Sequence, residues 1–418
     1  MTEHVLVVGS GRDLPSRVRS ALPGTQTSVI CRLDFVAKLR QLTEHARVIA
    51  VRHDAPDEEW IALARAAHAR HPFTRIATFG ERDQDRCAAI GEALGLSTHS
   101  PRTVALIHDK DAMRAQLRDA GIDSTASAIV ADVDALHTFV GKHGLPCVVK
   151  PVCGAGSAGV AVVREEAALA AAFERAGGSF DGLPNSGVLV EQFHEGPQFS
   201  VEAFSESSEH QVVAITRKFS DPATFVELGH VAPAELSAAE EEQVHTYVER
   251  LLDALGVEFG ATHTEIVLGS QGPKVIETHV RMGGDEIPAL AFDATGVDLA
   301  DCVVRQTVGE KVLPGIRAVL AEERPGRCSA IWFAAAPVAG VLTEVGGLDD
   351  ARNVDGVTEV QSLVRPGNRV EVLESSDSRV AYARALGDTA EQALVAAREA
   401  VGCLEFQVRV AAANVVSV

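Results

Sequence analysis

The chain lacks an excess of basic residues: 38 Lys and Arg stand against 58 Asp and Glu, which gives a formal net charge of -20. This charge argues against nucleic acid or an anionic membrane as the main partner, because both are polyanions. A polyphosphate can still bind an acidic protein through local cations, backbone amides and a metal ion. Apolar runs of about 18 residues are also missing, so we expect no transmembrane helix.

Paired cysteines and targeting signals are missing as well. The seven cysteines are scattered without a CxxC pair, which is typical of buried, reduced thiols in a cytoplasmic protein. The start, MTEHVLVVGSGRD, has no basic region and no polar cleavage site, so no signal peptide is expected. Internal repeats and long low-complexity linkers are absent too. The length of 418 residues then predicts two or three domains around a sizeable core.

Short apolar strands alternate with helices in the first hundred residues. HVLVVGS at 4–10, RVIAV and RIATF are the strands, and residues 57–71 have the pattern of a helix. This alternation predicts a small parallel α/β layer. VLVVGSG resembles the start of a dinucleotide fingerprint but lacks the third glycine, so a tight turn is the preferred interpretation.

A lysine and a glycine-rich loop follow a predicted buried strand in the centre of the chain. LPCVVKP at 145–151 brings Lys150 to the strand end, and GAGSAGV follows at once. Such a loop exposes backbone N–H groups to phosphate oxygens, and a lysine adds a point charge. The pattern GxxxxGK[ST] is absent, so this is not a P-loop, and a flexible hairpin turn is an equal alternative. Lys110, at the start of a predicted helix, would be the second cation of a phosphate clamp.

Glu265 and Glu277 lie in two apolar runs that are separated by the turn-forming GSQGP. Pairing Leu268 with Lys274 would set the two carboxylates opposite each other, whereas a slip of one residue would separate them. Two such carboxylates on one face need a cation, and Mg²⁺ with a nucleotide triphosphate supplies one. Arg281 precedes Met–Gly–Gly–Asp, where an arginine beside exposed amides can neutralise an oxyanion.

Past about residue 315 the pattern changes to predicted strands with glycine turns, then a helix at 389–401 and a final strand. The strands include RCSAIWFAAAP, GVLTEVGGL, GVTEVQSLV and RVEVLE. We therefore expect a separate C-terminal α+β unit.

Taken together, these motifs resemble the ATP-grasp carboxylate–amine ligases in order and spacing over residues 105–310. The resemblance rests on Lys110, the loop after Lys150, the segment VLVEQFHEGPQFSVE at 188–202, Glu265 and the run from Glu277 to Arg281. It implies that the lysines bind ATP phosphates under a glycine lid and that the segment at 188–202 meets the adenine. It also implies two Mg²⁺ or Mn²⁺ ions, with Glu277 bridging them. The nucleotide-binding residues implied in this way are Lys110, Lys150, Gly154, Gly156, Ser157, Gly159, Glu191, Phe193, His194 and Gln198, and the metal ligands are Glu265, Glu277 and His279.

Two positions depart from the family pattern, and one segment indicates which branch of the family the chain resembles. Gln198 stands where a ribose-binding Glu is usual, and His279 stands where an Asn metal ligand is usual; imidazole suits Mn²⁺ better than Mg²⁺. FVELGHVAPAEL at 225–236 resembles the Glu-x-x-His segment of bacterial L-amino-acid ligases, which form dipeptides. That resemblance implies that Glu227 and His230 face an amino-acid pocket, with Arg281 stabilising the oxyanion.

The sequence thus predicts an α/β (α+β) ATP-grasp fold: an N-terminal parallel α/β domain at 1–104, an ATP-grasp domain at 105–314 and a biotin-carboxylase-like α+β lobe at 315–418. The predicted activity is ATP-dependent ligation of a carboxylate, expected to be an amino acid, to an amine through an acylphosphate. Three alternatives stay open: a carboxylase or purine-pathway-type ligase, a non-catalytic nucleotide-binding protein, and an NAD(P)-dependent oxidoreductase. Small-molecule acids and amines are the expected partners, and a homodimer stays open.

Overall fold

A computed structural model describes residues 3–153, 158–178, 186–222, 224–322 and 326–410. Gly154, Gly156 and Ser157 of the predicted phosphate loop lie outside these described residues. Within them, no helix is both long and apolar enough to cross a membrane.

The N-terminal region is a parallel four-stranded sheet in the order β3-β2-β1-β4, flanked by helices. Its elements are β1 (His4–Val8), α1 (Leu14–Ala21), β2 (Gln26–Arg32), β3 (Arg47–Val51), α2 (Asp57–Arg70), β4 (Arg75–Thr78) and α3 (Gln84–Leu94). The predicted parallel layer is therefore confirmed. The turn after β1 is tight, with φ of +91° at Gly9 and +64° at Gly11, a conformation that glycine adopts at little cost.

An antiparallel four-stranded sheet in the order β5-β8-β6-β7 follows, packed against two helices. The elements of this region are α4 (Pro101–His108), α5 (Lys110–Asp119), β5 (Ser127–Val130), α6 (Val133–His143), β6 (Cys147–Pro151), β7 (Ala161–Val163), α7 (Leu169–Ala176) and β8 (Val188–Gln192). Asp109 caps α5 by accepting hydrogen bonds from the backbone N–H groups of Asp111 and Ala112.

The largest sheet has eight strands in the order β13-β12-β9-β10-β11-β14-β18-β16, and a small sheet has the order β17-β15-β19. The remaining elements are β9 (Gln198–Glu206), β10 (Glu209–Ser220), β11 (Glu227–Ala232), α8 (Ala238–Leu255), β12 (Phe259–Gly269), β13 (Gly272–His279), α9 (Ile287–Thr295), α10 (Leu299–Thr307), α11 (Leu313–Leu320), β14 (Cys328–Ala335), β15 (Gly340–Gly346), α12 (Leu348–Arg352), β16 (Val357–Ser362), β17 (Arg369–Val370), β18 (Arg379–Gly387), α13 (Ala390–Gly402) and β19 (Glu405–Arg409). The predicted strand RVEVLE is reduced to the two residues of β17.

The hairpin of β12 and β13 sets Glu265 directly opposite Glu277. The predicted pairing of Leu268 with Lys274 is wrong, since Val267 pairs with Lys274 and Leu268 with Pro273. The register shifts between Glu265 and Ile266, so that one extra residue of β13 is accommodated before Glu277. A β-bulge of this kind realigns the carboxylates, and hydrophobic alternation alone gives no sign of it.

The main sheet runs across the predicted limits of the C-terminal unit. β14, which follows residue 315, is hydrogen-bonded to β11, and β18 continues the same sheet. The predicted limit after residue 104 falls inside α4. The division into three domains remains a prediction, and the sheet brings the C-terminal strands next to β11.

Candidate active site

One cavity of about 300 Å³ lies where the ends of β6 and β8 face the main sheet. Of the site residues that the sequence predicts and the structure describes, all except Gly159 line it. Those residues are Lys110, Lys150, Glu191, Phe193, His194, Gln198, Glu227, His230, Glu265, Glu277, His279 and Arg281. The cavity is large enough for a nucleotide-sized ligand or part of one, and its wall combines cations, carboxylates and apolar side chains.

A buried ion cluster forms the wall next to β6 and β8. The Glu191 carboxylate lies 2.6 Å from the Lys150 ammonium and accepts hydrogen bonds from Arg114 at 2.7 and 3.2 Å. Burial alone would raise the pKa of Glu191, but Arg114 and Lys150 outweigh it and lower the pKa to about 2. Both oxygens of Glu191 are therefore engaged by cations, whereas the resemblance places this residue in the segment that meets the adenine.

The segment after β8 lines the neighbouring part of the cavity. The His194 ring nitrogen Nε2 lies 2.8 Å from the Thr125 hydroxyl, and burial lowers the pKa of His194. Phe193 stacks under the Arg164 guanidinium at 5.4 Å, and Gln198 begins β9. The structure thus brings the predicted adenine-binding segment to the same cavity as Lys150.

Two carboxylates and four cationic groups occupy the centre of the cavity. Glu277 lies 3.1 Å from the Lys110 ammonium and 3.3 Å from His279. Glu265 lies 2.5 Å from the Lys218 ammonium and 3.3 Å from His263. Burial alone would raise the pKa of both carboxylates, yet the pKa of Glu265 falls to about 2, mainly through Lys218, and that of Glu277 lies well below its ordinary value, mainly through Lys110. Both glutamates are therefore ionised at neutral pH.

These two carboxylates fit a metal ion that arrives with phosphate. Over the parts of the chain that the structure describes, no group of three or more His, Cys, Asp or Glu side chains is arranged to hold a metal ion. Mg²⁺ keeps several waters and binds through one or two carboxylates plus substrate phosphates, which is the donor set that facing glutamates provide. Glu265 and Glu277 would therefore hold an ion together with a nucleotide, not as a closed protein cage.

Glu81, in the segment between β4 and α3, contacts two residues of the cavity wall from the N-terminal region. Its carboxylate accepts a hydrogen bond from Arg281 Nε at 2.9 Å and forms an ion pair with Arg281 Nη2 at 2.8 Å, and it lies 3.4 Å from His279 Nδ1. Burial alone would lower the pKa of His279, but Glu277 and Glu81 together raise it. The imidazole of His279 therefore lies between two carboxylates, an environment that favours its cationic form.

Replacing His279 tests whether it is a metal ligand. If it is, His279→Asn should shift the metal preference toward Mg²⁺, because imidazole suits Mn²⁺ better than an amide oxygen does. The measurement is the rate of ADP release with each metal for both proteins. Identical Mg²⁺/Mn²⁺ rate ratios would reject the ligand role and leave the charge contact with Glu277.

The opposite end of the cavity is polar and draws on three segments. His230, only 1% exposed, points Nε2 at Asp285 at 3.3 Å, and its Nδ1 has no hydrogen-bond partner among the described residues. Glu227 lies 3.2 Å from Lys218 and accepts a hydrogen bond from the Ser376 hydroxyl at 3.1 Å. Glu227 and His230 therefore share one end of the cavity, where the resemblance to L-amino-acid ligases implies an amino-acid pocket.

The glycine turn after Arg281 offers fewer free amides than the sequence suggests. The N–H of Gly283 donates to the buried Glu202 carboxylate at 3.2 Å, and Glu202 also contacts His263. A Cβ at position 283 would lie 2.9 Å from His263, whereas a Cβ at Gly284 would meet nothing within 4 Å. Gly284, and not Gly283, therefore borders the open cavity.

Sequence reasoning missed Arg114, Lys218, Glu81 and Arg379. Only Arg114 could have been predicted from the sequence, because it lies one helical turn after Lys110 and so shares the same face of α5. Lys218 sits in an ordinary strand, and Glu81 and Arg379 reach the site from regions far away in the chain. Their roles come from long-range packing that no local pattern reports.

Comparison with known proteins gives two family matches in this chain. Residues 143–289 match the ATP-grasp domain, and residues 332–409 match the L-amino acid ligase C-terminal domain 2. The first match runs from the end of α6 to the start of α9, and so includes Lys150, Glu191, Glu227, Glu265 and Glu277. The second runs from β14 to β19.

Three individual proteins illustrate the similarity. Uncharacterized protein y4rH of Sinorhizobium fredii is 27% identical over 377 residues, covering 90% of this chain and 75% of that protein. The alanine–anticapsin ligase of Bacillus subtilis is 24% identical over 272 residues, and the match spans 60% of this chain but only 57% of that enzyme. The crystal structure of the L-amino acid ligase from Bacillus licheniformis has a TM-score of 0.81 at 21% identity, covering 98% of this chain and 99% of that one.

Proposed function

We propose that this chain, an ATP-dependent carboxylate–amine ligase of the ATP-grasp family, joins the carboxylate of an amino acid to an amine through an acylphosphate. The products are an amide or dipeptide, ADP and phosphate. The observation that carries the proposal is the single cavity in which Glu265 and Glu277 face each other, with Lys110 and Lys150 on one side and Glu227 and His230 on the other. The two facing glutamates and the two lysines suit a metal-bound triphosphate, whereas Glu227 and His230 suit an amino acid.

In the first step, an oxygen of the substrate carboxylate attacks the γ-phosphorus, and the bond from that phosphorus to the ADP oxygen breaks. Charge develops on the phosphoryl oxygens in the loose transition state, and the ammonium groups of Lys110 and Lys150 would offset it. Divalent ions held by Glu265 and Glu277 would offset more of the negative charge on the phosphoryl oxygens. Lys218, which contacts both Glu265 and Glu227, supplies a third buried cation between the two ends of the cavity.

In the second step, the amine nitrogen attacks the acyl carbon, phosphate leaves, and the nitrogen loses a proton. Arg281, fixed by a hydrogen bond and an ion pair to Glu81, is the cation that would stabilise the oxyanion of the tetrahedral intermediate. His230 or Glu227 would orient the amine or accept its proton. The name of the Bacillus subtilis relative, alanine–anticapsin ligase, supports an amino-acid substrate without naming the substrate of this chain.

Removing the polar groups at the second end of the cavity tests the amino-acid pocket. Glu227→Ala and His230→Ala should leave affinity for a non-hydrolysable ATP analogue within about twofold and lower amide yield by tenfold or more, since general acid–base groups contribute about 10²–10⁴-fold. The measurement is amide formation by mass spectrometry over pairs of amino acids, beside calorimetric nucleotide affinity.

Glu235→Ala serves as the matched control, because Glu235 is exposed and lies just beyond β11. Full amide yield from both Glu227→Ala and His230→Ala would show that this end is not the amino-acid pocket. The proposal of an amino-acid substrate would then be given up. A carboxylate–amine ligase of another kind, or a carboxylase or purine-pathway-type ligase, would remain, with its substrate elsewhere in the cavity.

A further inference from the structure

Arg379, the first residue of β18, connects the C-terminal region to both polar segments of the cavity. Its guanidinium donates two hydrogen bonds to Asp285, at 2.7 and 2.6 Å, and one to the Glu227 carbonyl at 3.4 Å. It also donates to the Ser376 carbonyl at 2.8 Å and stacks over the Phe333 ring at 3.9 Å. The residue is only 8% exposed, so these contacts are shielded from water and salt.

Asp285, the main partner of Arg379, holds a backbone conformation that needs support. Its φ is +53° and that of Glu286 is +57°, so two successive non-glycine residues lie in the left-handed region. Such residues cost free energy and persist only where their surroundings fix them. The bidentate pair with Arg379 fixes the Asp285 side chain, and His230 Nε2 lies 3.3 Å from an oxygen of the same carboxylate. The turn that begins at Arg281 and leads into α9 is therefore anchored from the C-terminal region.

Ser376, three residues before Arg379, touches the other polar segment directly. Its hydroxyl donates to the Glu227 carboxylate at 3.1 Å, and it lines the cavity together with Asp285 and His230. Arg379 is not among the residues that line the cavity. Arg379 thus acts on the cavity through its neighbours, whereas Ser376 forms part of the wall.

We propose that the segment Ser376–Arg379 of the C-terminal region completes the amino-acid pocket, with Arg379 as the positioning residue for Asp285, His230 and Glu227. The proposal rests on the ligase function proposed above and assigns the C-terminal region a part in substrate selection. It predicts that loss of Arg379 misplaces the substrate and not the nucleotide, because none of its contacts involves the Lys110 or Lys150 end. An acylphosphate that meets a misplaced amine would be lost to water, so ADP release would continue without matching amide.

The test compares Arg379→Gln with Arg384→Gln. Arg384 belongs to the same strand, contacts Asp293 of α9 at 2.7 Å, and does not line the cavity, so its replacement also breaks an ion pair between β18 and the α9 segment. For Arg379→Gln we expect unchanged affinity for a non-hydrolysable ATP analogue, a KM for the best amino-acid substrate raised by about tenfold, and fewer amides per ADP. Added guanidinium should partly restore the amide-to-ADP ratio. Arg384→Gln should keep the wild-type ratio and KM.

Asp285→Asn, a near-isosteric change, provides a second route if Arg379→Gln fails to fold, and it should show the same loss of coupling. The inference would be overturned if the variant that folds had the KM and the amide-to-ADP ratio of the wild-type protein. It would also be overturned if Arg384→Gln lowered the amide-to-ADP ratio as much as Arg379→Gln does. A wild-type protein that forms no amide from any pair of amino acids would overturn the proposed function itself, and this inference with it.

Discussion

Glu277→Gln is expected to keep the protein folded and to lower ATP-dependent turnover by at least about a hundredfold. The substitution preserves the volume of the side chain but removes the charge that faces Glu265 across the hairpin. Because Glu277 is ionised at neutral pH, its amide replacement loses both the contact to Lys110 and the main attraction for a metal ion. Metal affinity in the presence of ADP, measured by calorimetry, should fall together with the rate.

Glu405→Gln is the control for this experiment, since Glu405 is an exposed glutamate on the strand β19. It removes the same charge from a residue that does not line the cavity and should leave both the rate and the metal affinity unchanged. Wild-type ADP formation by the Glu277→Gln protein would remove the basis for assigning the metal to this hairpin.

Lys150→Met is expected to weaken ATP binding by about 10- to 100-fold, because a hydrogen bond to a charged group contributes about 1.5–3 kcal/mol. Methionine keeps the buried stem of the side chain, and Glu191 keeps its bidentate contact with Arg114, so the ion cluster is not left without a cation. The measurement is calorimetric affinity for ATP with the metal present.

Lys142→Met provides the comparison, since Lys142 is exposed at the end of α6 and has no place in the cavity. Its affinity for ATP should match that of the wild-type protein. Unchanged affinity in Lys150→Met as well would mean that Lys150 pairs with Glu191 only for stability and does not reach the phosphates.

Local signals in the sequence were sufficient for the elements with strong local rules. In α8, the capping box of Ser237 and Glu240, the apolar stripe and the stop at Gly256 all follow rules that act over a few residues. The parallel N-terminal layer followed from strand–helix alternation in the same way. The predicted ATP-grasp fold, with an α+β C-terminal region, is confirmed by the matched families and by the shared fold of the Bacillus licheniformis ligase.

The contacts that complete the site could not be read from the sequence. The facing pair Glu265 and Glu277 was found, yet the bulge that aligns them depends on the pairing of two whole strands. Glu81 contacts Arg281 from about 200 residues earlier in the chain, and Arg379 contacts Asp285 from about 100 residues later. Such partners are selected by tertiary packing, and neither residue carries a motif of its own.

The central claim, ligation through an acylphosphate, is tested most directly by following an oxygen atom. The wild-type protein is incubated with ATP, Mg²⁺ and pairs of amino acids whose carboxylates carry ¹⁸O, and the amide and the released phosphate are analysed by mass spectrometry. The account predicts that each amide formed is accompanied by one ADP and by one phosphate that carries a single ¹⁸O from the acid. Amide formation that releases AMP and pyrophosphate, or phosphate without ¹⁸O, would contradict it.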